Sequence, residues 1–152
     1  MNIVICEKKN VLKLLSHSKY DAIISINDPY VGSARKWESH KKAKWASKIA
    51  KYIPKDKSLI LYFWDSVIVE PNGPSLDIIR QIIEFSKSLL KNCNLLIHCK
   101  MGVSRSPAAG MIVLAEHGMD INDAYEYILT RRLIAIPNSL MLELYKENFE
   151  RK

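Results

Sequence analysis

The sequence NLLIHCKMGVSRSP, from Asn94 to Pro107, joins a short apolar run to a polar loop and then to a proline. The run that ends at His98 has the continuous hydrophobicity of a strand buried on both faces of a parallel sheet. Proline is typical of the first turn of a helix, where its missing N–H costs no hydrogen bond. The stretch therefore predicts a strand, a loop and a helix in succession, with Cys99 where the strand ends.

Three other stretches share this strand-like character, and helical patterns lie between and after them. The expected strands are Asn2–Cys6, Asp21–Ile26, Leu59–Trp64 and Asn94–His98. The expected helices are Lys8–Ser16, Trp37–Tyr52, Ser75–Lys91, about Ser104 to His117 with a stop at Gly118, and two more capped by Asp120 and Asn138. In the third of these helices, the spacing predicts one apolar stripe with Ile82 beside it, made of Leu76, Ile79, Ile83 and Leu90.

This order of elements predicts the fold class. Strands that alternate with helices, followed by a helical C-terminal half, indicate an α/β fold. We expect a three-layer-like sandwich in which a central, mainly parallel sheet of about four to five strands is flanked by helices. A chain of 152 residues can bury one core but not two, so a single domain over residues 1–152 is expected.

Composition and charge narrow the class of protein. No apolar run approaches the roughly 20 residues that span a bilayer, and the N-terminal order of apolar and charged residues is the reverse of a signal peptide. Three cysteines without zinc-like spacing favour a reducing compartment, so we expect a soluble cytoplasmic protein. The net charge of +7 belongs to the segment Arg35–Lys57, which has nine basic and two acidic residues.

The loop after the predicted strand has the residues of an anion site. Ligands of open parallel sheets bind beyond the carboxyl ends of the strands, and a loop that leads into a helix can turn its N–H groups toward an anion. Gly102 permits the sharp curl, and Arg105 can grip phosphate oxygens with two parallel hydrogen bonds. The same field favours the thiolate of Cys99, which is its reactive form. The alternative is a structural cysteine beside a solvent-facing arginine, but the many features within ten residues favour the anion site.

The stretch HCKMGVSRS resembles the His-Cys-x-x-Gly-x-x-Arg-Ser/Thr signature of the cysteine-dependent protein tyrosine phosphatases, in the form found in small dual-specificity phosphatases. The resemblance extends from Asp21 through the last helix. It implies that Cys99 is the nucleophile, Arg105 the phosphate clamp and Ser106 the hydroxyl that helps the thiolate leave. It also implies supporting roles for His98 and Asn138, and a phosphate-binding loop made of Lys100, Met101, Gly102, Val103 and Ser104.

This chemistry also needs a general acid, because an alkoxide or phenolate leaves poorly without a proton. In the family it is an aspartate in a loop after the preceding strand, roughly thirty residues before the cysteine. Asp65 stands 34 residues before Cys99 and matches this pattern. Glu70 lies in the same loop and is the alternative, whereas Asp77 fits the first turn of a helix, where the helix dipole already explains it.

The family resemblance implies a metal-independent phosphatase, without a cofactor, that acts on phosphotyrosine and also on phosphoserine or phosphothreonine in proteins. The four histidines, His17, His40, His98 and His117, lack ligand-like spacing. Two alternative functions are that of a phosphatase acting on a phosphoinositide or an RNA 5′ phosphate, and that of a non-catalytic phosphate-binding module. Lys100 resembles the phosphoinositide enzymes, but Val103 stands where they commonly have a second lysine. A rhodanese-like sulfur transferase fits the Arg-Ser ending less well.

Several further residues have two possible roles each. Cys6 and Cys93 are expected to be small apolar filler, although Cys6 would lie near Cys99 as a resolving thiol if the first and fourth strands are neighbours. Arg131 and Arg132 end a helix and could instead meet a second anionic group. The lysines of Arg35–Lys57 form a solvated helix face or steer phosphoproteins, or an anionic membrane surface, to the enzyme.

Overall fold

The protein is built on a four-stranded parallel sheet. The computed structural model describes residues 1–150, so the last two residues of the predicted 1–152 domain lie outside the described residues. The strands are β1 (Asn2–Glu7), β2 (Ala22–Asn27), β3 (Ser58–Tyr62) and β4 (Asn94–Cys99). Their spatial order is β1-β4-β2-β3, and every neighbouring pair is parallel. The strand that ends at Cys99 is therefore internal, which explains its continuous hydrophobicity.

Helices cover both faces of the sheet, so the predicted α/β sandwich is confirmed. The helices are α1 (Val11–His17), α2 (Glu38–Ala50), α3 (Leu76–Lys87), α4 (Arg105–Glu116), α5 (Ile121–Arg131) and α6 (Ser139–Asn148). Short 3₁₀ turns precede α1, α2 and β3, at Lys8–Asn10, Gly32–Trp37 and Lys55–Lys57. One core cluster packs α1 and α2 against the sheet, and the larger cluster packs α3 to α6 against the other face. No helix within residues 1–150 is long and apolar enough to cross a membrane.

Capping residues fix several boundaries as the sequence predicts. The side chain of Asp120 accepts a hydrogen bond from Asn122 N at the start of α5, and that of Asn138 accepts one from Met141 N at the start of α6. Gly118 follows α4 with a positive φ of 97°.

The predicted apolar stripe of α3 is partly wrong. The helix ends at Lys87 with Ser88 as its C-cap, so Leu90 lies beyond it and is 73% exposed. Leu76 is in the first turn and is also exposed. The buried side of α3 is formed instead by Ile79, Ile82, Ile83 and Ser86.

The strand predicted to end at Trp64 ends two residues earlier. Trp64 N donates to Asn72 O at 2.7 Å, so the chain has already left the sheet and entered a loop that returns near Asn72. This early exit places Asp65 in the loop at the carboxyl edge of the sheet, beside the end of β4.

Candidate active site

A cleft of about 720 Å³ opens at the carboxyl edge of the sheet, where β4 meets α4. Cys99 is the last residue of β4, and Arg105 is the first residue of α4. The cleft is lined by these two residues and by Asp28, Trp64, Asp65, Glu70, Lys100, Met101, Val103 and Ser104. The structure thus gathers around one cleft residues that the sequence places in three separate segments.

The loop from Lys100 to Ser104 turns its carbonyl groups away from the cleft. All five carbonyl oxygens accept hydrogen bonds. Lys100 O accepts from Lys8 N, and Met101 O and Gly102 O accept from Arg132 Nη2 and Nε. Val103 O accepts from Ile136 N, and Ser104 O accepts from both Ala108 N and Asn138 N. Because the C=O and N–H of a peptide unit point in opposite directions, the N–H groups of such a curled loop are left for an anion. This hydrogen bonding is compatible with the predicted anion nest, which stays a prediction.

Gly102 is essential to this curl. Its φ is +68°, and a Cβ at this position would lie 2.9 Å from the backbone C and O of Cys6 and 3.0 Å from Arg132 Nη2. A residue with a side chain would therefore meet both backbone strain and a collision with β1.

Arg132 holds the back of the loop. Its Nε donates to Gly102 O and its Nη2 to Met101 O, each at 3.1 Å, and Nη2 lies 3.5 Å from Glu7 Oε2. The possibility that Arg132 meets a second anionic group is therefore not supported, because its guanidinium already binds the loop and β1. Arg131 lies over the ring of Tyr127, with 5.1 Å from its Cζ to the centroid.

Cys99 and Ser106 contact each other in the interior of the site. Cys99 Sγ lies 3.1 Å from Ser106 Oγ, and both residues are buried. If Cys99 is a thiolate, the hydroxyl of Ser106 is the donor of this hydrogen bond. Ser106 can then stabilise negative charge on the sulfur.

Arg105 is almost fully buried and is anchored by one end of its guanidinium. Nη1 donates to Phe63 O at 2.7 Å and pairs with Asp28 Oδ1 at 2.7 Å. Its Nε has no hydrogen-bond partner among residues 1–150. Asp28 also lies 3.8 Å from Lys100 Nζ. Asp28 is not among the residues predicted from the sequence, although its place directly after β2 at the carboxyl edge of the sheet could have identified it.

Asp65 is held in place by two hydrogen bonds to the same oxygen. Its Oδ1 accepts from Ser104 Oγ at 2.6 Å and from Asn138 Nδ2 at 2.8 Å. Asn138 also donates to Ser66 O at 3.0 Å, so it ties the loop after β3 to the start of α6. Glu70 lines the same cleft, but its carboxylate makes no hydrogen bond within the described part of the chain. The geometry therefore distinguishes the two candidate acids and favours Asp65.

His98 belongs to a buried polar network below the loop. Ser25 Oγ accepts hydrogen bonds from Trp45 Nε1 at 2.9 Å and Asn27 Nδ2 at 3.1 Å, so its own O–H is left to donate to His98 Nε2 at 2.6 Å. The ring proton of His98 must then lie on Nδ1, which donates to Cys99 O at 3.2 Å. Ser25, Asn27 and Trp45 come from other elements, so no pattern near His98 in the sequence predicts them here.

His98 is neutral at physiological pH. Burial lowers its pKa from 6.5 to about 4, an effect that the hydrogen bond to Cys99 O opposes and that nearby Lys8 and Arg105 reinforce. A neutral histidine cannot stabilise the Cys99 thiolate by its charge. Its influence on the loop therefore passes through the hydrogen bond to the Cys99 carbonyl.

Cys6 does not fit the role of a resolving thiol. β1 and β4 are neighbours, as that hypothesis required, but Cys6 is in register with His98, and Cys99 with Glu7. Since successive side chains of a strand alternate between faces, Cys6 and Cys99 point to opposite sides of the sheet. Burial also raises the pKa of the Cys6 thiol to about 12, which disfavours its thiolate. Cys93 is likewise a buried free thiol.

Residues 7–150 match the family model described as the dual specificity phosphatase catalytic domain. The chain belongs to the dual specificity phosphatase family. This places it in the protein tyrosine phosphatase superfamily, as the loop motif predicts. Among residues 1–150 of this phosphatase, no three His, Cys, Asp or Glu side chains are grouped so that they could hold a metal ion.

Known proteins similar to this phosphatase agree with the family match. It is 39% identical over 64 residues to the human (Homo sapiens) protein phosphatase Slingshot homolog 2, which is 41% of this chain but only 4% of that relative. The Cydia pomonella PTP-2 phosphatase structure superposes with a TM-score of 0.65 at 18% identity, covering 97% of this chain and 85% of the other. Human DUSP28 gives 0.62 at 14% identity, with coverage of 95% and 89%. At these identities, the two structures share the fold with this phosphatase.

Proposed function

We propose that this phosphatase hydrolyses phosphomonoesters of proteins, phosphotyrosine and also phosphoserine or phosphothreonine, through a phosphocysteine intermediate and without a metal ion. One observation carries the proposal: a buried cysteine, a buried arginine and a tethered carboxylate line the same open cleft. The three free thiols, Cys6, Cys93 and Cys99, also suit work in the reducing cytoplasm.

In the first step, the Cys99 thiolate attacks phosphorus in line with the leaving oxygen. The S–P bond forms and the P–O bond to the substrate breaks, while Asp65 gives its proton to the leaving oxygen. Asp65 Oδ1 already accepts two hydrogen bonds, so the transferable proton belongs on Oδ2. The N–H groups of the loop stabilise the charge on the equatorial oxygens.

Arg105 is positioned for two-point binding of those oxygens. Asp28 and Phe63 O engage Nη1, so the phosphate oxygens bind the N–H groups of the guanidinium that these two partners do not occupy. We assign Asp28 as a positioning residue that acts through Arg105. Replacement of Arg105 by lysine should lower kcat about a hundred-fold or more, because one ammonium cannot reproduce the planar fork.

In the second step, water attacks the phosphocysteine. Asp65 takes a proton from the water, the P–S bond breaks, and inorganic phosphate leaves. The Ser106 hydroxyl, 3.1 Å from Cys99 Sγ, donates to the departing thiolate. The free enzyme is thereby restored with its proton on Asp65 and its charge on sulfur.

The mechanism is tested by Cys99→Ser, assayed on an aryl phosphate in the presence of a chelator. Serine keeps its proton where the thiol ionises, so turnover should disappear, and acid-quenched wild type should show the added mass of a phosphoryl group on Cys99. Cys93→Ser is the matched control, because Cys93 is a buried free thiol next to the amino end of β4, and it should turn over normally. Normal turnover by Cys99→Ser would overturn the mechanism.

A phosphoinositide substrate is the second candidate. Lys100 lines the cleft directly after Cys99, with a side chain that is 69% exposed, and could bind a second phosphate. The structure of PTPMT1 in complex with PI(5)P shares the fold, with a TM-score of 0.58 at 20% identity over 96% of this chain and 88% of the other. Val103 argues against this candidate, since it supplies no second cation. A panel of phosphopeptides and phosphoinositides, assayed with wild type and Lys100→Ala, decides between them. An absolute preference for phosphotyrosine would contradict the dual specificity.

A further inference from the structure

Seven exposed apolar side chains lie in the phosphate-binding loop and in two segments that are hydrogen-bonded to the residues around the cleft. These seven large side chains are 58% to 86% exposed, although apolar side chains of this size are mostly buried in a folded domain. We call them the apolar rim: Val67, Ile68, Val69, Met101, Leu133, Ile134 and Ile136. Contiguous exposed apolar surface of this kind marks an interaction site for a protein or a membrane.

Hydrogen bonds join the separate parts of the apolar rim into one surface. Val67–Val69 lie between Asp65 and Glu70, both of which line the cleft. Asn138 donates to Ser66 O at 3.0 Å, so the segment that carries Leu133–Ile136 is tied to the loop that carries Val67–Val69. Ile136 N donates to Val103 O at 2.8 Å, next to the exposed Met101 in the same phosphate-binding loop.

Basic side chains accompany this apolar surface. Lys100 directly precedes Met101 of the apolar rim, and Arg131 lies two residues before Leu133. Both basic side chains are exposed. At the same carboxyl edge of the sheet, Lys41 lies over the ring of Tyr30, which packs on Tyr62 at the end of β3. The same side carries two more exposed basic residues and two exposed apolar ones, Arg35, Lys36, Val31 and Trp37. Of the nearby acids, Asp28 is paired with Arg105, whereas Asp65 and Glu70 lie within the cleft.

We infer that the cleft face of this phosphatase docks on an anionic lipid bilayer. The apolar rim then enters the boundary between headgroups and acyl chains, and the basic residues meet anionic headgroups. Three consecutive side chains, Val67 to Val69, are all exposed, which suits a fluid apolar phase. Val67 and Ile68 lie at bends and not in a strand, so this segment offers no strand edge with which an extended peptide could pair. The docking does not depend on which phosphomonoester the cleft hydrolyses.

The test is co-sedimentation of the full chain carrying Cys99→Ser, so that binding is measured without turnover. Phosphatidylcholine vesicles are compared with vesicles that also contain phosphatidylserine. We expect binding to the anionic vesicles only, weakened by salt. Adding Ile68→Ser with Leu133→Ser should weaken it about tenfold or more, because each buried aliphatic side chain is worth more than one such factor.

The matched control is Leu90→Ser with Tyr52→Ser. Both side chains are exposed, but they precede β4 and β3 and so lie at the opposite edge of the sheet. The control should bind vesicles as the parent does, and thermal unfolding of both double variants verifies that they are folded. Equal binding of the rim and control variants, or no binding to anionic vesicles, would overturn the inference. If Ile68→Ser with Leu133→Ser, made in the chain that keeps Cys99, lowers turnover of phosphopeptides while the parent never binds vesicles, the rim serves a peptide and the inference also fails.

Discussion

At the scale of single residues, the clearest prediction concerns the role of the Asp65 carboxylate as the general acid. Asp65→Asn should slow turnover about a hundred-fold, the usual contribution of general acid catalysis, and less for substrates with good leaving groups. The limb of the pH–rate profile on which turnover falls with rising pH should flatten, because that fall reports loss of the proton from the acid.

Glu70→Gln is the matched control for this prediction, since Glu70 lines the same cleft without a hydrogen bond to its carboxylate among residues 1–150. It should retain turnover and the shape of the profile. If the slow rate and the flattened limb follow Glu70→Gln rather than Asp65→Asn, the acid has been assigned to the wrong residue.

His98 should make the stability of the fold depend on pH. The unfolded state binds a proton below pH 6.5, but the buried ring resists it until the pH falls to about 4. The free energy of unfolding should therefore decrease as pH falls through this window, by up to about 3 kcal/mol in total. Urea unfolding at a series of pH values should show a shallower pH dependence for His98→Gln than for wild type. Equal slopes would show that His98 titrates normally in the native state.

The sequence predicts the residues of the site that lie in one continuous loop and misses those that reach it from elsewhere. Cys99 and Arg105 are fixed by local spacing between a strand and a helix. Asp28 and Ser25 reach the site only because β2 packs beside β4, and no local pattern records that pairing. The charge of Arg132 is visible in the sequence, but its contact with the loop depends on how α5 ends against β1.

At the scale of elements, alanine substitution at two glycines with positive φ distinguishes the effect of backbone strain from the effect of a steric clash with a neighbouring strand. Gly118→Ala, with φ +97° and nothing within 4 Å of the new Cβ, should cost about 1 to 2 kcal/mol of stability and leave turnover unchanged. Gly102→Ala meets the backbone of Cys6 as well, so the phosphate-binding loop must move. Its kcat/KM should fall about a hundred-fold, as expected for a displacement near 1 Å. Thermal unfolding and aryl phosphate turnover of both variants check this, and equal activities would contradict it.

Hydrophobic periodicity does not predict where the helices and strands end. The apolar period continues to Leu90, but α3 stops at Lys87, where Ser88 bonds back to the last turn. The run LILYFW reads as one strand, yet Trp64 pairs with Asn72 instead of the sheet. Periodicity identifies an element, whereas competing hydrogen bonds decide where it ends.

At the scale of the whole molecule, the basic segment Arg35–Lys57 should increase the rate at which acidic substrates associate with the enzyme. α2 begins near the cleft, where Lys41 and Lys42 lie over Tyr30 and Tyr62, and it runs toward the opposite edge of the sheet. Alanine at Lys41, Lys44, Lys48 and Lys51 should lower kcat/KM for an acidic phosphoprotein about tenfold at low salt. Turnover of a small aryl phosphate should barely change.

The control for this prediction is alanine at Lys55 and Lys57, which lie just before β3 at the far edge of the sheet. These changes should have a smaller effect on the acidic substrate. If none of the variants alters either rate at low salt, the lysines form only a solvated helix face.

The pairing of β1 with β4 has a consequence for the order of folding events. The two strands join residues 92 positions apart, and the phosphate-binding loop is then supported by Lys8 N, which donates to Lys100 O, and by Glu7, which pairs with Arg132. Closing so long a stretch of chain is slow compared with forming helices such as α4. A dilution jump from urea should therefore restore the helical circular dichroism signal before the capacity to hydrolyse an aryl phosphate, and the lag between the two measures the time in which this central strand finds its partner.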